Sequence, residues 1–194
     1  MSLRHLTAAL IALAMAGTAP AAPSDTGEVS VAGSVAGLCV LGEPSRGSID
    51  LGQMAATSGP RVGRIAALPP QDVKLPGSFC NFAGTAIKVE AEALVGDDVS
   101  AVQPGFARAV NFTSTVADWA SEAPSVKTAA NANGGSPAAE GSGGAHPAPK
   151  IADLTLTLSG FTVPADAILV AGLYSGRVTI TLGPAIGGET PSGD

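Results

Sequence analysis

Between Gly172 and Pro184 the chain reads Gly-Leu-Tyr-Ser-Gly-Arg-Val-Thr-Ile-Thr-Leu-Gly-Pro. Tyr174, Gly176, Val178, Ile180 and Leu182 share one parity; Arg177, Thr179 and Thr181 share the other. A period of two puts alternate side chains on opposite faces of a strand, and β-branched residues favour that state. Gly183-Pro184 closes the run, because proline brings no N–H to a ladder. The same period recurs upstream. In Thr85–Val95, Ile87, Val89, Ala91 and Ala93 face in, while Lys88, Glu90 and Glu92 face out. In Lys150–Gly160, Leu154, Leu156 and Leu158 alternate with Thr155 and Thr157, and Phe161–Val163 extends the strand past a bulge at Gly160. Phe106–Trp119 alternates through Phe106, Arg108, Val110, Phe112 and Ser114, with Arg108 placed at the solvent end. Glu28–Val35 carries Val29, Val31, Gly33 and Val35 on one face, and Ile49 and Leu51 make a short strand closed by Gly52.

Two long stretches lack this period. Prolines at 60, 69, 70 and 76 forbid a long helix or a central strand in Gln53–Pro76. That region reads as a surface excursion returning to Cys80, with a short extended segment at Val62–Leu68. Ala129–Pro149 is rich in Gly, Ala, Ser, Asn and Pro, and reads as a flexible loop. No helical period appears. Five to seven strands separated by turn signals predict an all-β chain, a small antiparallel β-sandwich that is immunoglobulin-like in the broad sense. Residues 37–184 hold the sandwich, and Ala185–Asp194 is a polar tail.

Composition narrows the picture. The chain has 194 residues, 45% of them hydrophobic and only 13% charged, with a formal charge of −6. That suits one domain with a real core. No Lys/Arg cluster is present to neutralise phosphates, which argues against a nucleic-acid partner. Met1–Ala21 has the form of a secretory signal: Arg4, an apolar run at Leu6–Ala16, and a small-x-small site at Ala19-Pro20-Ala21. No apolar run of membrane-spanning length follows it, so no transmembrane helix is expected in the mature chain. Export makes the cysteines readable. Cys39 and Cys80 are the only two, and in an oxidising compartment they are expected to pair. Their loop of 42 residues makes such a bond worth roughly 4 kcal/mol by chain entropy.

No catalytic set stands out in the sequence. There is no Gly-x-Ser-x-Gly elbow and no phosphate loop. His146 is the only histidine after the leader, and it lies in the glycine-rich stretch, far in sequence from either cysteine. A catalytic base there would lack a fixed register, and a zinc site would lack ligands. Asp97-Asp98 are adjacent carboxylates at a turn without calcium-loop spacing. Asn111-Phe112-Thr113 matches the glycosylation pattern but falls inside a predicted strand. Trp119, the only tryptophan, reads as a core plug or a loop lid. The expectation is a non-catalytic protein with no cofactor and no metal.

Taken in order, these features resemble a known family. A valine-alternating strand stands before Cys39; Leu51-Gly52 follows; Cys80 opens the Thr85–Val95 strand; Phe106-Ala-Arg-Ala-Val-Asn-Phe112 and Gly172–Leu182 complete the series. Residues 28–184 thereby resemble the spore coat protein U-like domain, shared with archaic chaperone–usher pilin (fimbrial) subunits of Gram-negative bacteria. The resemblance implies an incomplete sandwich that lacks its last strand. A neighbouring subunit's N-terminal extension fills the gap by β-augmentation. Residues 22–36 are then the extension, with Val29, Val31, Gly33 and Val35 as donor side chains. Tyr174, Val178, Ile180 and Leu182 are candidates to line the acceptor groove. The implied partners are other pilin-like subunits, a periplasmic chaperone and an outer-membrane usher. The implied location is the periplasm in transit, then the cell surface or an extracellular fibre. Two features depart from the family: the tail beyond the closing strand and the length of Ala129–Pro149.

Two alternatives stay open. Glu28–Val35 reads equally well as the first strand of its own domain. The whole chain also reads as a self-complete secreted sandwich that binds carbohydrate or a surface partner.

Overall fold

The computed structural model describes residues 25–185. Residues 1–24, which include the expected leader, and the expected tail beyond Ala185 lie outside the described residues. The chain divides into two units, 1–33 and 34–194. In the first, residues 25–33 carry no helix or strand and are exposed.

The described residues of the second unit are all β apart from two single turns of 3-10 helix, at Gly59–Arg61 and Pro164–Asp166. Its strands are β1 (Cys39–Val40), β2 (Gln71–Cys80), β3 (Thr85–Gly96), β4 (Phe106–Ala107), β5 (Ala109–Ala117), β6 (Ser125–Lys127), β7 (Ala139–Ser142), β8 (Lys150–Thr162), β9 (Ile168–Leu169) and β10 (Tyr174–Pro184). The hydrogen-bonded path runs β1-β2-β8-β5-β3-β10, with β6 on β5 and β7 on β3. Every pairing along it is antiparallel. Among the described strands only the two-residue pair β4–β9 is parallel.

The path folds into two layers. One holds β1, β2, β8, β5 and β6; the other holds β10, β3 and β7. Strand β5 serves both. Its first residues, Ala109 and Val110, pair with β3, and Asn111–Ala117 pair with β8. The inward rows meet in a core of Leu75, Ile87, Val89, Val116, Trp119 and Leu154, each 1% exposed or less. A second cluster joins Ile65, Ala107, Val110, Val163 and Ala167. Cys39 and Cys80 form the disulfide, tying β1 to the end of β2. The chain is an antiparallel β-sandwich with one disulfide.

The strong period-two segments form strands where expected. Strand β8 carries Leu154 and Leu156 inward and bulges between Ser159 and Thr162. Gly160 sits there at φ 62°, a left-handed conformation that glycine adopts without a Cβ clash. Trp119 is a core plug: it is buried, and its Nε1 donates to the carbonyl of Thr85 at 3.1 Å.

Several expectations need correction. Glu28–Val35 forms no strand. Neither do Ile49 and Leu51; Ile49 instead packs half-buried against the core. The excursion Gln53–Pro76 ends early, because Gln71–Cys80 is a full strand. Val73 and Leu75 face the core and Asp72 and Lys74 face solvent, a normal alternation that the prolines masked. Pro76 is tolerated because the register with β8 shifts between Leu75 and Ser78, where no ladder N–H is needed. Within Val62–Leu68 only Ile65 pairs, in a single bridge to Ala55. Ala129–Pro149 is not wholly loop: Ala139–Ser142 pairs with β3 as β7. Finally, Ala93 is not the fourth inward residue of β3; Leu94 packs against both clusters instead. Ser175 pairs with Val95 and Arg177 with Glu92, so Ala93 and Leu94 together oppose Gly176. That two-against-one bulge flips the parity of everything beyond it. Gly176 is required there, since a Cβ would lie 2.9 Å from the carbonyl oxygen of Glu92.

Candidate functional site

The two ends of the sheet path define the candidate site. Strand β10 pairs with β3 along one side and stands last in the path. Val178 lies opposite Ala91, Ile180 opposite Val89 and Leu182 opposite Ile87. Those three β3 residues are 1% exposed or less, yet Val178, Ile180 and Leu182 are only half-buried. They touch the core from its rim. The alternation that builds β10 therefore buries its apolar row incompletely, because among the described residues no strand covers its outer side.

Across from β10 lies the other end of the path. Strand β1 is two residues long, and the chain after it continues without a strand. Leu41 and Ile49 in that stretch rest half-buried against the same core. Cα atoms of β1 and β10 come within 8 Å of one another, yet no ladder joins them. The sandwich thus stops short of closing. An apolar seam runs between β10 and the Cys39–Leu51 stretch, with an unpaired strand edge along it. Such an edge offers N–H and C=O groups to an added strand.

The sequence-derived acceptor residues separate into two places. Val178, Ile180 and Leu182 stand together on the seam. Tyr174 stands apart, against the second cluster, with its hydroxyl donating to the carbonyl of Val170 at 2.7 Å. Burial, with the nearby charge of Asp97, pushes that phenol above its ordinary range. Of the donor residues, Val29, Val31 and Val35 are 85%, 92% and 84% exposed.

An element the sequence did not reveal fixes the chain just after Val35. The side-chain amide of Asn81 donates to the carbonyl of Ala36 at 2.9 Å. Its side-chain oxygen accepts from the Leu38 N–H at 2.7 Å, and its backbone N–H donates to the Leu38 carbonyl at 3.0 Å. The backbone is therefore held from Ala36 through β1, next to the disulfide. Nothing local to Asn81 marks this role; the paired residues are more than forty positions away.

A second area lies at Phe106, which is partly exposed. Clefts of about 250 and 330 Å³ flank it, the first reaching Asp98, Arg108 and Val170, the second Arg64, Ala132 and Pro164. Beside the second cleft, Asp166 receives Arg61 through two contacts, at 2.7 and 3.2 Å, and Arg64 at 3.3 Å. Its hydrogen bond to Arg61, strengthened by both guanidinium charges, holds its carboxyl below the usual range. These ion pairs fasten Pro164–Asp166, where Ala165 and Asp166 both adopt positive φ. Sequence reading missed this cluster, whose members lie about a hundred residues apart.

Catalytic geometry does not emerge at the positions considered. His146 bridges Thr85 in backbone pairing, and its Nδ1 lies 2.7 Å from the carbonyl of Ala148. Asp98 turns back on its own loop to accept from Ser100 N–H and Oγ, which lowers its pKa. Asn111 is buried, and its amide is spent on Thr128 and Ala130, so it offers no acceptor for glycosylation. Among the described residues no group of three or more His, Cys, Asp and Glu is arranged to hold a metal. Among them too, no helix is long and apolar enough to cross a membrane.

No family model, curated protein or solved structure matches the chain.

Proposed function

We propose that this chain is a non-catalytic structural subunit that assembles with its neighbours by donor-strand β-augmentation, as part of an exported surface fibre or coat. The observation that carries the reading is the unpaired edge of β10, with Val178, Ile180 and Leu182 half-buried along it. A chain whose own strands filled its sandwich would bury that row. The segment suited to fill it is Glu28–Val35. It has strand alternation in sequence, forms no strand, and exposes three valines. Laid along β10 of another copy, it would add main-chain hydrogen bonds while Val29, Val31 and Val35 entered the seam. Burying each valine contributes about 1.5 kcal/mol or more. Where β1 comes within 8 Å of β10 the gap is narrower than two strand spacings, about 9.6 Å. The added strand must displace β1 there or stop short of it.

The leader-like N-terminus and the disulfide support export, since such bonds persist in oxidising compartments. The resemblance to coat protein U-like and pilin subunits points the same way and brings in a periplasmic chaperone and an outer-membrane usher. An open apolar edge needs such protection before assembly. The direct test is oligomer formation by the exported chain and its suppression by a free peptide copying Glu28–Val35.

A second reading rests on the clefts flanking Phe106. In a self-complete binding module these would receive a sugar or a surface ligand. A glycan array read with wild type and Phe106→Ala separates the two readings.

A further inference from the structure

The outer face of the β1–β2–β8 corner carries an apolar row. Val40 lies opposite Phe79, and Phe79 opposite Ile151. Registered partners point to the same side of a sheet. Cys80, next to Phe79, faces the core, so Phe79 and its partners face outward. Ile151 is 77% exposed and Val40 40%, with Leu38 beside them also exposed. A soluble surface gains nothing from such a row. Among the described residues no element covers it.

We infer that this row is a subunit junction, covered by the rim of the acceptor groove of the next copy of the chain. The inference rests on the donor-strand reading and adds a partner surface to it. Tether length fixes where the two copies meet. Asn81 holds Ala36 and Leu38 to the end of β2. Val35, the last donor residue, immediately precedes the clamped Ala36. One residue step spans at most about 3.6 Å. A neighbour that takes Val35 into its groove must therefore bring the groove's rim up against Ala36, Leu38 and β1. No slack remains for a solvated gap, and the apolar row stands where the rim arrives. A periplasmic chaperone or an unrelated partner has no such constraint to place it at this corner.

The test uses the full exported chain, residues 22–194, as wild type, Ile151→Glu and Ile151→Lys. The Ile151 side chain is 77% exposed, so both variants keep the fold. Two quantities are read: the oligomer population at fixed concentration by size exclusion, and the affinity of the full chain for a free peptide copying Glu28–Val35. The junction predicts that each variant lowers the oligomer population about tenfold, as expected for a buried aliphatic contact replaced by a charge, with peptide affinity unchanged. If both variants oligomerise like wild type while the peptide still binds and competes, the junction is wrong and the donor-strand reading stands. Should wild type neither oligomerise nor bind peptide, both fall together. A loss of peptide binding in both variants would place the row in the groove's own support and overturn the junction. Normal oligomers in vitro with loss of the variants from the periplasm would assign the row to a chaperone, and overturn it too.

Discussion

Asn81 donates from its side-chain amide to the carbonyl of Ala36 at 2.9 Å, and so fixes the point at which the N-terminal segment leaves the sandwich. The same side chain accepts from Leu38, closing a two-sided clamp on an exposed stretch. A hydrogen bond of this kind contributes about 1 kcal/mol. Asn81→Ala is therefore expected to raise the hydrogen-exchange rate of the Leu38 amide about tenfold while leaving global stability within roughly 2 kcal/mol of wild type. Unchanged exchange at Leu38 would mean that the clamp does not hold the segment.

Ile180 lies opposite the fully buried Val89 and is itself half-buried on the seam. Its remaining surface is available to a donor strand. Ile180→Ala should weaken binding of the Glu28–Val35 peptide by about tenfold, the value of roughly half an aliphatic side chain with its packing. Thr179→Ala, on the outward face of the same strand, should change it by less than about twofold. Calorimetric titration of both variants decides the matter; equal effects at the two positions would disconnect the seam from binding.

Asn111 is a buried polar side chain that makes three hydrogen bonds. It accepts from the Ala130 N–H at 2.7 Å and from Thr128 Oγ1 at 3.1 Å, and donates to the Ala130 carbonyl at 3.0 Å. Asn111→Ala would orphan a buried backbone donor and acceptor together, at a cost of roughly 2–3 kcal/mol. Urea denaturation with the disulfide intact measures this as a lower midpoint at unchanged slope. A shift equivalent to less than about 0.5 kcal/mol would show that water replaces the side chain freely.

Asp166 should titrate below an ordinary carboxyl, because its charged form is held by Arg61 and then by Arg64. The sign follows from linkage. A depressed folded-state pKa favours the fold above the unfolded carboxyl's pKa, and that contribution is lost as pH falls through the folded value. The group lies at the surface, so the effect is local and salt-sensitive. Carboxyl NMR should place the Asp166 midpoint below that of an unpaired aspartate, and Arg61→Gln should raise it. A midpoint unmoved by Arg61→Gln would mean the pair does not form in solution.

Much of the sandwich was legible because period-two runs with β-branched residues allow few other structures. Strands β3, β8 and β10 form where their patterns place them, and β3 and β10 keep the expected parity up to the bulge at Gly176. Strand β2 was hidden by three prolines, although Val73 and Leu75 alternate normally, because a bulge absorbs Pro76. Strand β7 was hidden by composition. Gly141 looks like linker chemistry, yet a Cβ there would lie 2.5 Å from Val126 Cγ1, so the glycine is a packing requirement. The bulge opposite Gly176 moved Leu94 into the place expected of Ala93, since a one-residue insertion leaves no periodic warning. At the candidate site, the row Val178, Ile180, Leu182 was readable from alternation alone. The Asn81 clamp and the Arg61–Asp166–Arg64 cluster were not, because both join residues distant in sequence through side chains that also suit any surface.

The central claim is that the seam along β10 is a vacancy for a strand from another copy. The measurement that tests it most directly is thermal unfolding, with size exclusion, of the exported chain with residues 22–35 removed. Ala36 and its contact to Asn81 are kept. Donor-strand assembly predicts a monomer of low stability or an aggregate, converted to a stable monomer by the Glu28–Val35 peptide with a rise in Tm of about 10 °C, corresponding to a few kcal/mol in a domain of this size. A truncated chain that is already a stable monomer, and whose Tm the peptide does not move, would contradict it.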